Sequence, residues 1–317
     1  MTCRLKLADG TIRLLPAAVK WEFEYGCGIP CDSFRVTCPW RCADDAILAR
    51  AARFEAEHDG ATVFCGIVDE CLVSWSARGS VLTVSGRGMA ALLLDNEARS
   101  MDYETATLAD ILRDHVTPYG IARGDTADLP PVRRFSVAGG SSEWSVLDQF
   151  ARYHGGAAPR FDRSGQLLLG ERTGRGTLVI DDRTPLVSLT ARDRRYGVLS
   201  EVHVQERGNH PRTQVVENTA FKDRGGRCRR IYTMPGKSDY QSMRYRGQFQ
   251  LDRSARELLC LHTEVAVPFC AWPEDRVRLA RTGWGRNGTW KVASTAVSMD
   301  EDGFRTRLEL VPEETML

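Results

Sequence analysis

The chain has 317 residues, enough for two domains or three small ones at about 150 residues each, and 43 Lys plus Arg against 42 Asp plus Glu leave a formal charge of +1; this excludes a protein that holds polyanions by net charge alone. Hydrophobic residues at 42% and charged residues at 27%, with 28 Gly and 13 Pro, exclude a disordered chain. The longest apolar runs, 89–94 and 265–272, fall far short of the roughly 20 residues a membrane helix needs.

The opening MTCRLKLADG carries no apolar stretch behind its basic residues, so no secretory signal is read, and the ten cysteines are expected to stay reduced. Val19, Trp21, Phe23 and Tyr25 alternate with Lys20, Glu22 and Glu24, the period of a half-buried antiparallel strand. Further strands are predicted at 33–38, 62–68, 71–77 and 81–85, punctuated by HDG and ARGS turns. Residues 51–56 read equally as a strand or as the end of a helix from Asp44. Residues 1–99 are expected to form a small β-barrel-like domain.

From Met89 the pattern turns helical. A short helix is predicted over 89–94. A second starts after Thr107 as N-cap, with Leu108, Ile111, Leu112 and Val116 on one face, and stops at Pro118 and Gly120. A third starts at Ser142, turns Trp144, Leu147, Phe150 and Ala151 inward, and ends at Gly155–Gly156. Leu129-Pro130-Pro131 links them, and a hairpin over Arg163-Ser164-Gly165 follows. Residues 100–185 are expected to be an α+β middle domain.

Strands return from Leu186. Segments 200–205, 276–280, 289–297 and 304–311 alternate, the last two pairing across the turn at 300–303, and 186–317 is expected to be a second β-barrel-like domain. The fold class is therefore mainly β with α+β. Segments 66–85 and 288–310 both read as a glycine, a long strand, an x-x-Gly turn and an alternating strand, which suggests an internal duplication. Lys222 to Arg253 interrupts this domain without periodicity, holding nine basic residues against three acidic ones with Tyr232, Tyr240, Tyr245 and Phe249 interleaved. A segment of this kind is a mobile loop, a contact for an acidic partner, or a nucleic-acid module. Arg224, Arg227, Arg229, Arg230, Tyr240, Arg244 and Arg246 are its partner-contact candidates. Only five of the 43 basic residues are lysines, and arginine suits interfaces because its planar fork pairs with carboxylates and stacks on rings.

Chemistry is sparse by comparison. Cys27, Cys31, Cys38 and Cys42, spaced C-x3-C-x6-C-x3-C, are the zinc candidates, although zinc knuckles use two-residue gaps and Cys38 falls on the apolar side of a strand. Gly283, Gly285 and Gly288 spell G-x-G-x-x-G, but a strand follows where a dinucleotide site needs a helix, so a hairpin loop is expected. The six histidines include no H-E-x-x-H, and neither a nucleophile elbow nor a Walker lysine occurs. No enzyme activity and no cofactor are expected.

A barrel closing with LTVSGRGMAALLLDNEA (82–98), then TLADILRDHVTPYGI (107–121), SEWSVLDQFARYHGGAAPRFDRSGQLLLGE (142–171) and a last β domain ending NGTWKVASTAVSMDEDGFRTRLELVP (287–312) resembles the baseplate hub proteins of contractile phage tails, in particular the phage Mu hub and the PBSX-like prophage hubs related to the late control D family. The resemblance implies a structural homotrimer in which two barrels per chain make a pseudo-sixfold ring between the tail tube protein and the central spike protein. It further implies baseplate wedge proteins as neighbours, with a tape-measure protein a further candidate, assembly in the bacterial cytoplasm, and residence in the baseplate of a phage or a headless tail-like bacteriocin. No membrane anchor and no specific nucleic acid are expected as partners. A tail-associated cell-wall hydrolase or an Arg-rich nucleic-acid-binding module are the other function classes.

Overall fold

The computed structural model describes all residues except 28–30, 78, 171–174, 208–211, 235–239, 257 and 316–317, and the side chains of 42–44 and 153. The fold is mainly β. Its first part contains β1 (Thr2–Leu7), β2 (Ile12–Leu14), β3 (Lys20–Gly26), β4 (Ser33–Pro39), β5 (Ala51–His58), β6 (Ala61–Ser76) and β7 (Gly79–Gly88), hydrogen-bonded in the order β3-β4-β7-β6-β5-β1-β2. The segment at 51–58 is a strand, entered from a 3-10 helix at Cys42–Arg50. The two strands expected at 62–68 and 71–77 are one strand, β6, bulged between Val68 and Glu70; one extra residue there breaks the alternation without ending the pairing.

Phe23 on β3 and Phe54 on β5 are four strands apart along this path, about 19 Å in a flat sheet, yet their ring centroids are 6.4 Å apart. The sheet therefore rolls around a common core of Trp21, Phe23, Phe34, Phe54 and Phe64, with Phe34 and Phe54 stacked at 4.0 Å.

Residues 89–176 form the middle unit: α1 (Ala91–Leu94), β8 (Met101–Ala106), α2 (Leu108–His115), β9 (Arg123–Thr126), β10 (Val132–Val137), α3 (Glu143–Asp148) with a π-helical continuation at Gln149–His154, β11 (Pro159–Phe161) and β12 (Leu167–Leu169). Thr107 caps α2 and α3 starts after Ser142, as the sequence predicts; the structure adds a reciprocal box between Thr107 and Asp110 and a cap from the Ser142 hydroxyl. Leu93, Ile111, Leu147, Phe150 and Leu167 share one core.

The third part contains β13 (Thr177–Asp181), β14 (Leu186–Asp193), β15 (Glu201–Glu206), β16 (Thr213–Glu217), α4 (Thr219–Asp223), β17 (Arg229–Met234), α5 (Tyr240–Ala255), β18 (Leu259–Val265), β19 (Arg276–Ala280), β20 (Gly288–Asp300) and β21 (Gly303–Pro312). Six of these strands run β14-β18-β21-β20-β19-β13. The outermost two, β13 and β14, are joined by a four-residue turn at 182–185; so short a link reaches across only a rolled sheet. Of the G-x-G-x-x-G glycines, Gly283 and Gly285 fall in the β19–β20 loop, as expected, and Gly288 is the first residue of β20. In the second half of β20, the edge away from β21 pairs with β3, Ser294 opposite Gly26 through Met299 opposite Trp21. The two β regions are thus one thirteen-stranded sheet. Phe269 and Trp272, from the β18–β19 connection, wedge into the first core, where Phe269 stacks on Trp21 at 5.4 Å and Trp272 meets Tyr25 edge-on at 5.0 Å.

The duplication is a matter of topology. In chain order, β3, β4, β6 and β7 lie side by side as 1-2-4-3, and so do β14, β18, β20 and β21. The long hairpins match in detail: β6 bulges between Val68 and Glu70 and closes with Ser76 opposite Gly79, while β20 bulges between Val292 and Ser294 and closes with Asp300 opposite Gly303. This equivalence sets Gly66 against Trp290, two residues away from the Gly66 and Gly288 match that the sequence suggests.

The described residues of segment 222–253 form regular elements, in contrast to the aperiodic stretch read from the sequence. They supply the end of α4, then β17 and most of α5. β16, β15 and β17 form a separate three-stranded sheet, and α5 lies over one face of it, sharing a core of Val202, Val204, Met234, Met243 and Leu251. The buried stripe of α5 is Met243, Gly247 and Leu251 with Ser242. Gly and Ser hide a helical period from hydrophobicity, and at Gly247 a Cβ would sit 2.6 Å from the Val216 side chain.

Candidate interaction surface

Strands β3, β4, β6, β7, β14, β18, β20 and β21 alternate between core and outside. Their inward residues, such as Trp21, Val36, Leu82, Val297, Leu308 and Leu261, are buried. Opposite them lies a mostly polar face, interrupted by Ile67, which packs against the middle unit, and by the exposed Leu72 and Val81. One row crosses all eight strands: Ser188, Glu264, Arg307, Ala296, Glu24, Ser33, Arg87 and Ile67 stand successively opposite one another. At about 4.8 Å per strand the face is roughly 34 Å wide. Its charges are of both signs and largely paired: Arg307 bonds Glu22, Arg305 reaches Glu264 at 3.4 Å, and Arg87 grips Asp69 and Asp95 at 2.7 Å each. Such a wall wets readily without holding a strong net charge.

Both ends of this face are open. β14 pairs with β18 and, among the described residues, with no other strand. β6 pairs with β5 only over its first half, 61–67; from Glu70 to Ser76 it pairs only with β7 among the described residues. The open part of β6 carries Leu72 at 50% and Trp75 at 84% exposure, while β14 carries Val187 at 50%. Large apolar side chains beside an unpaired strand edge mark an interaction site. Sequence reasoning missed these residues; the alternation of ECLVSWS beyond a bulge was the available signal.

The Arg-rich candidates are dispersed. Arg224 approaches Asp193 at 3.9 Å, Arg229 pairs with Glu201, and Lys222 bonds Glu217 at 2.7 Å and Glu201 at 3.3 Å. Arg227 donates to the carbonyls of Lys222 and Gly226. Arg246 is half-buried, 5.9 Å above the Tyr232 ring. Arg230, Arg244 and Tyr240 are exposed. Carboxylates outside the segment thus offset much of its local charge. Lys237 and Asp239, counted in that segment, and His210 lie outside the described residues.

The cysteine candidates do not converge. Cys38 is buried in the first core. The Cys31 thiol donates to the Gly88 carbonyl at 3.3 Å. Burial pushes the thiols of Cys27 and Cys31 up to about 12 and that of Cys38 up to about 11, which disfavours the thiolate that zinc binds. The side chain of Cys42 lies outside the described residues. Among the described residues, no group of three His, Cys, Asp or Glu side chains is placed to hold a metal, and no helix is long and apolar enough to cross a membrane.

One buried polar cluster resembles catalytic machinery. His115 Nδ1 lies 2.6 Å from Glu143, which also accepts from the Tyr119 hydroxyl at 2.9 Å. Both partners are enclosed in the middle unit, His115 at 3% and Glu143 at 7% exposure, so the pair serves to lock α2 to α3.

No protein-family model matches the chain, and no curated protein matches it. Solved structures do. A tail protein from Neisseria meningitidis MC58 is similar over 99% of this chain and 96% of its own, with a TM-score of 0.78 at 18% identity. The 43 kDa tail protein of prophage MuSo2 from Shewanella oneidensis matches over 100% of both chains, with a TM-score of 0.77 at 18% identity. Prophage tail protein gp18 from Listeria monocytogenes EGD-e matches over 98% of this chain and 94% of its own, with a TM-score of 0.63 at 10% identity. The chain has the fold of these tail proteins over its whole length.

Proposed function

We propose that the chain is a structural baseplate hub protein of a contractile tail or tail-like particle, acting as a homotrimeric ring that joins the tail tube to the central spike. The observation that carries this reading is the repeated 1-2-4-3 sheet: two equivalent units per chain give three copies six similar positions, the number needed to match a hexameric tube. Three polar faces of eight strands make a wall of 24, about 115 Å around and about 37 Å across between backbones at about 4.8 Å per strand. A mixed-charge wall of that width suits a channel through which a polymer passes. The extra unit at 194–258 and the middle unit at 89–176 are the parts available to wedge, spike or tape-measure proteins. The reading involves no catalytic step. It is also preferred to a nucleic-acid module, because Glu201, Glu217 and Asp193 offset the cations on which that alternative depends.

Light scattering on the purified chain, alone and with its particle's tube protein, tests the reading. Three copies per particle are expected, with the tube protein bound to one end. A chain that stays monomeric under both conditions would overturn it.

A further inference from the structure

We infer that the open edge of β6, residues 70–76, pairs antiparallel with the open edge of β14 in a second copy of this chain, in the register that β20 keeps with β3 inside each chain. The inference rests on the ring reading above and specifies its subunit contact residue by residue.

The intrachain junction is the template. β20 uses its first half to pair with β19 and, past its bulge, its second half to pair with β3. β6 uses its first half to pair with β5, and past the equivalent bulge its second half has no such partner among the described residues. Matching bulge to bulge and turn to turn sets Glu70 on Ser294 and Trp75 on Met299. β14 is matched to β3 through their shared neighbours: Trp21 stands opposite Val36 as Leu189 stands opposite Thr263, and Val36 and Thr263 are themselves equivalent, opposite Val84 and Leu308. Transferring the β20–β3 register then places Glu70 opposite Arg194, Leu72 opposite Arg192, Val73 opposite Ala191, Ser74 opposite Thr190 and Trp75 opposite Leu189.

The chemistry of the two edges agrees with this register. Val73 and Trp75 meet Ala191 and Leu189 on the core side of the sheet, while Ser74 meets Thr190 on the polar side. Glu70 faces Arg194, an opposite-charge pair. Trp75, 84% exposed in the single chain, takes the position of Met299, which packs against the first core. Neither edge contains a proline or a lysine, the usual protections of a strand meant to stay solvated. Because the two edges differ, the contact is heterologous, and with two of six equivalent positions per chain it closes at three copies.

Two double variants test the register, Ser74→Cys with Thr190→Cys and Val73→Cys with Ala191→Cys. Adjacent pairs on antiparallel strands alternate between wide and narrow Cα spacing, so one of them falls within disulfide reach. After mild oxidation of the full chain, non-reducing gels are expected to show two- and three-chain species, with the new disulfide located by mass spectrometry. Single variants, the wild type and the off-register pair Ser74→Cys with Leu186→Cys should lack it. If light scattering finds trimers but neither in-register pair links, the register is wrong and the ring reading survives. Monomers without any link contradict both. Trp75→Asp provides an independent arm: loss of the trimer with unchanged thermal unfolding of the monomer is expected, and an intact trimer would overturn the inference.

Discussion

Asp32 lies at the end of the loop between β3 and β4, half-buried in a cavity of about 470 Å³ that it lines with Tyr25, Phe64, Met89, Arg163 and Trp272. Removal from water pushes its carboxyl up to about 7, opposed by one hydrogen bond from the Gly26 N–H at 3.1 Å. The native state therefore holds this proton more tightly than the unfolded chain does. Its contribution to stability is complete below about pH 4 and is lost as pH rises through about 7. Asp32→Asn should remove that decline and stabilise the protein at pH 8 by about 1–2 kcal/mol, a reduced figure because the group is partly solvated. Thermal melts of both forms from pH 4 to 8 check it, and parallel pH curves would contradict it.

At the scale of elements, local sequence signals are strongest where one rule dominates. Helix α2 was legible because Thr107, a favoured N-cap, stands ahead of an apolar stripe; in the structure Asp110 completes a capping box, with hydrogen bonds from Asp110 N–H to the Thr107 hydroxyl and from Thr107 N–H to the Asp110 carboxylate. Thr107→Ala should cost about 1 kcal/mol, measured as a shift in the denaturant midpoint; an unchanged midpoint would show that the packing of Ile111 and Leu112 alone holds the helix. Strand β3 was legible for the same reason, with Trp21, Phe23 and Tyr25 facing one core, although Val19, read as a fourth inward position, precedes the strand and is exposed. Helix α5 was not legible, because its buried positions include Gly247 and Ser242 and its exposed ones carry arginine, so that charge density stood out and periodicity did not. Strand β6 was divided in two by its bulge, a backbone feature with no residue signature of its own.

At the scale of the molecule, the order of β, α+β and β parts was visible in the sequence, but the joining of the two β regions through β3 and β20 was not, since nothing local indicates which distant edge a strand will meet. The duplication shows more clearly in the structure than in the residues. Bulges and turns repeat at equal spacing, while the side chains have diverged from Trp75 to Met299 and from Phe23 to Ala191. It also relates two features that looked unconnected. The six-residue link 27–32, with its cysteines, and the 65-residue unit 194–258, with its arginines, occupy the same loop in the two repeats. Arg256, at the end of the larger insertion, donates to the carbonyls of Cys27 and Ala293, tying that loop back to the junction of the repeats. One repeat thus has a short connection where the other carries a unit that packs against the middle unit, with Ser242 2.9 Å from His154 and Arg152 4.5 Å over the Phe249 ring.

Electron microscopy of the purified assembly viewed end-on is the most direct measurement of the central claim. The account predicts a ring of three chains with six similar lobes around an open channel and three-fold symmetry. A ring built from six chains, or particles in which the polar face of the long sheet lies on the outside, would contradict it.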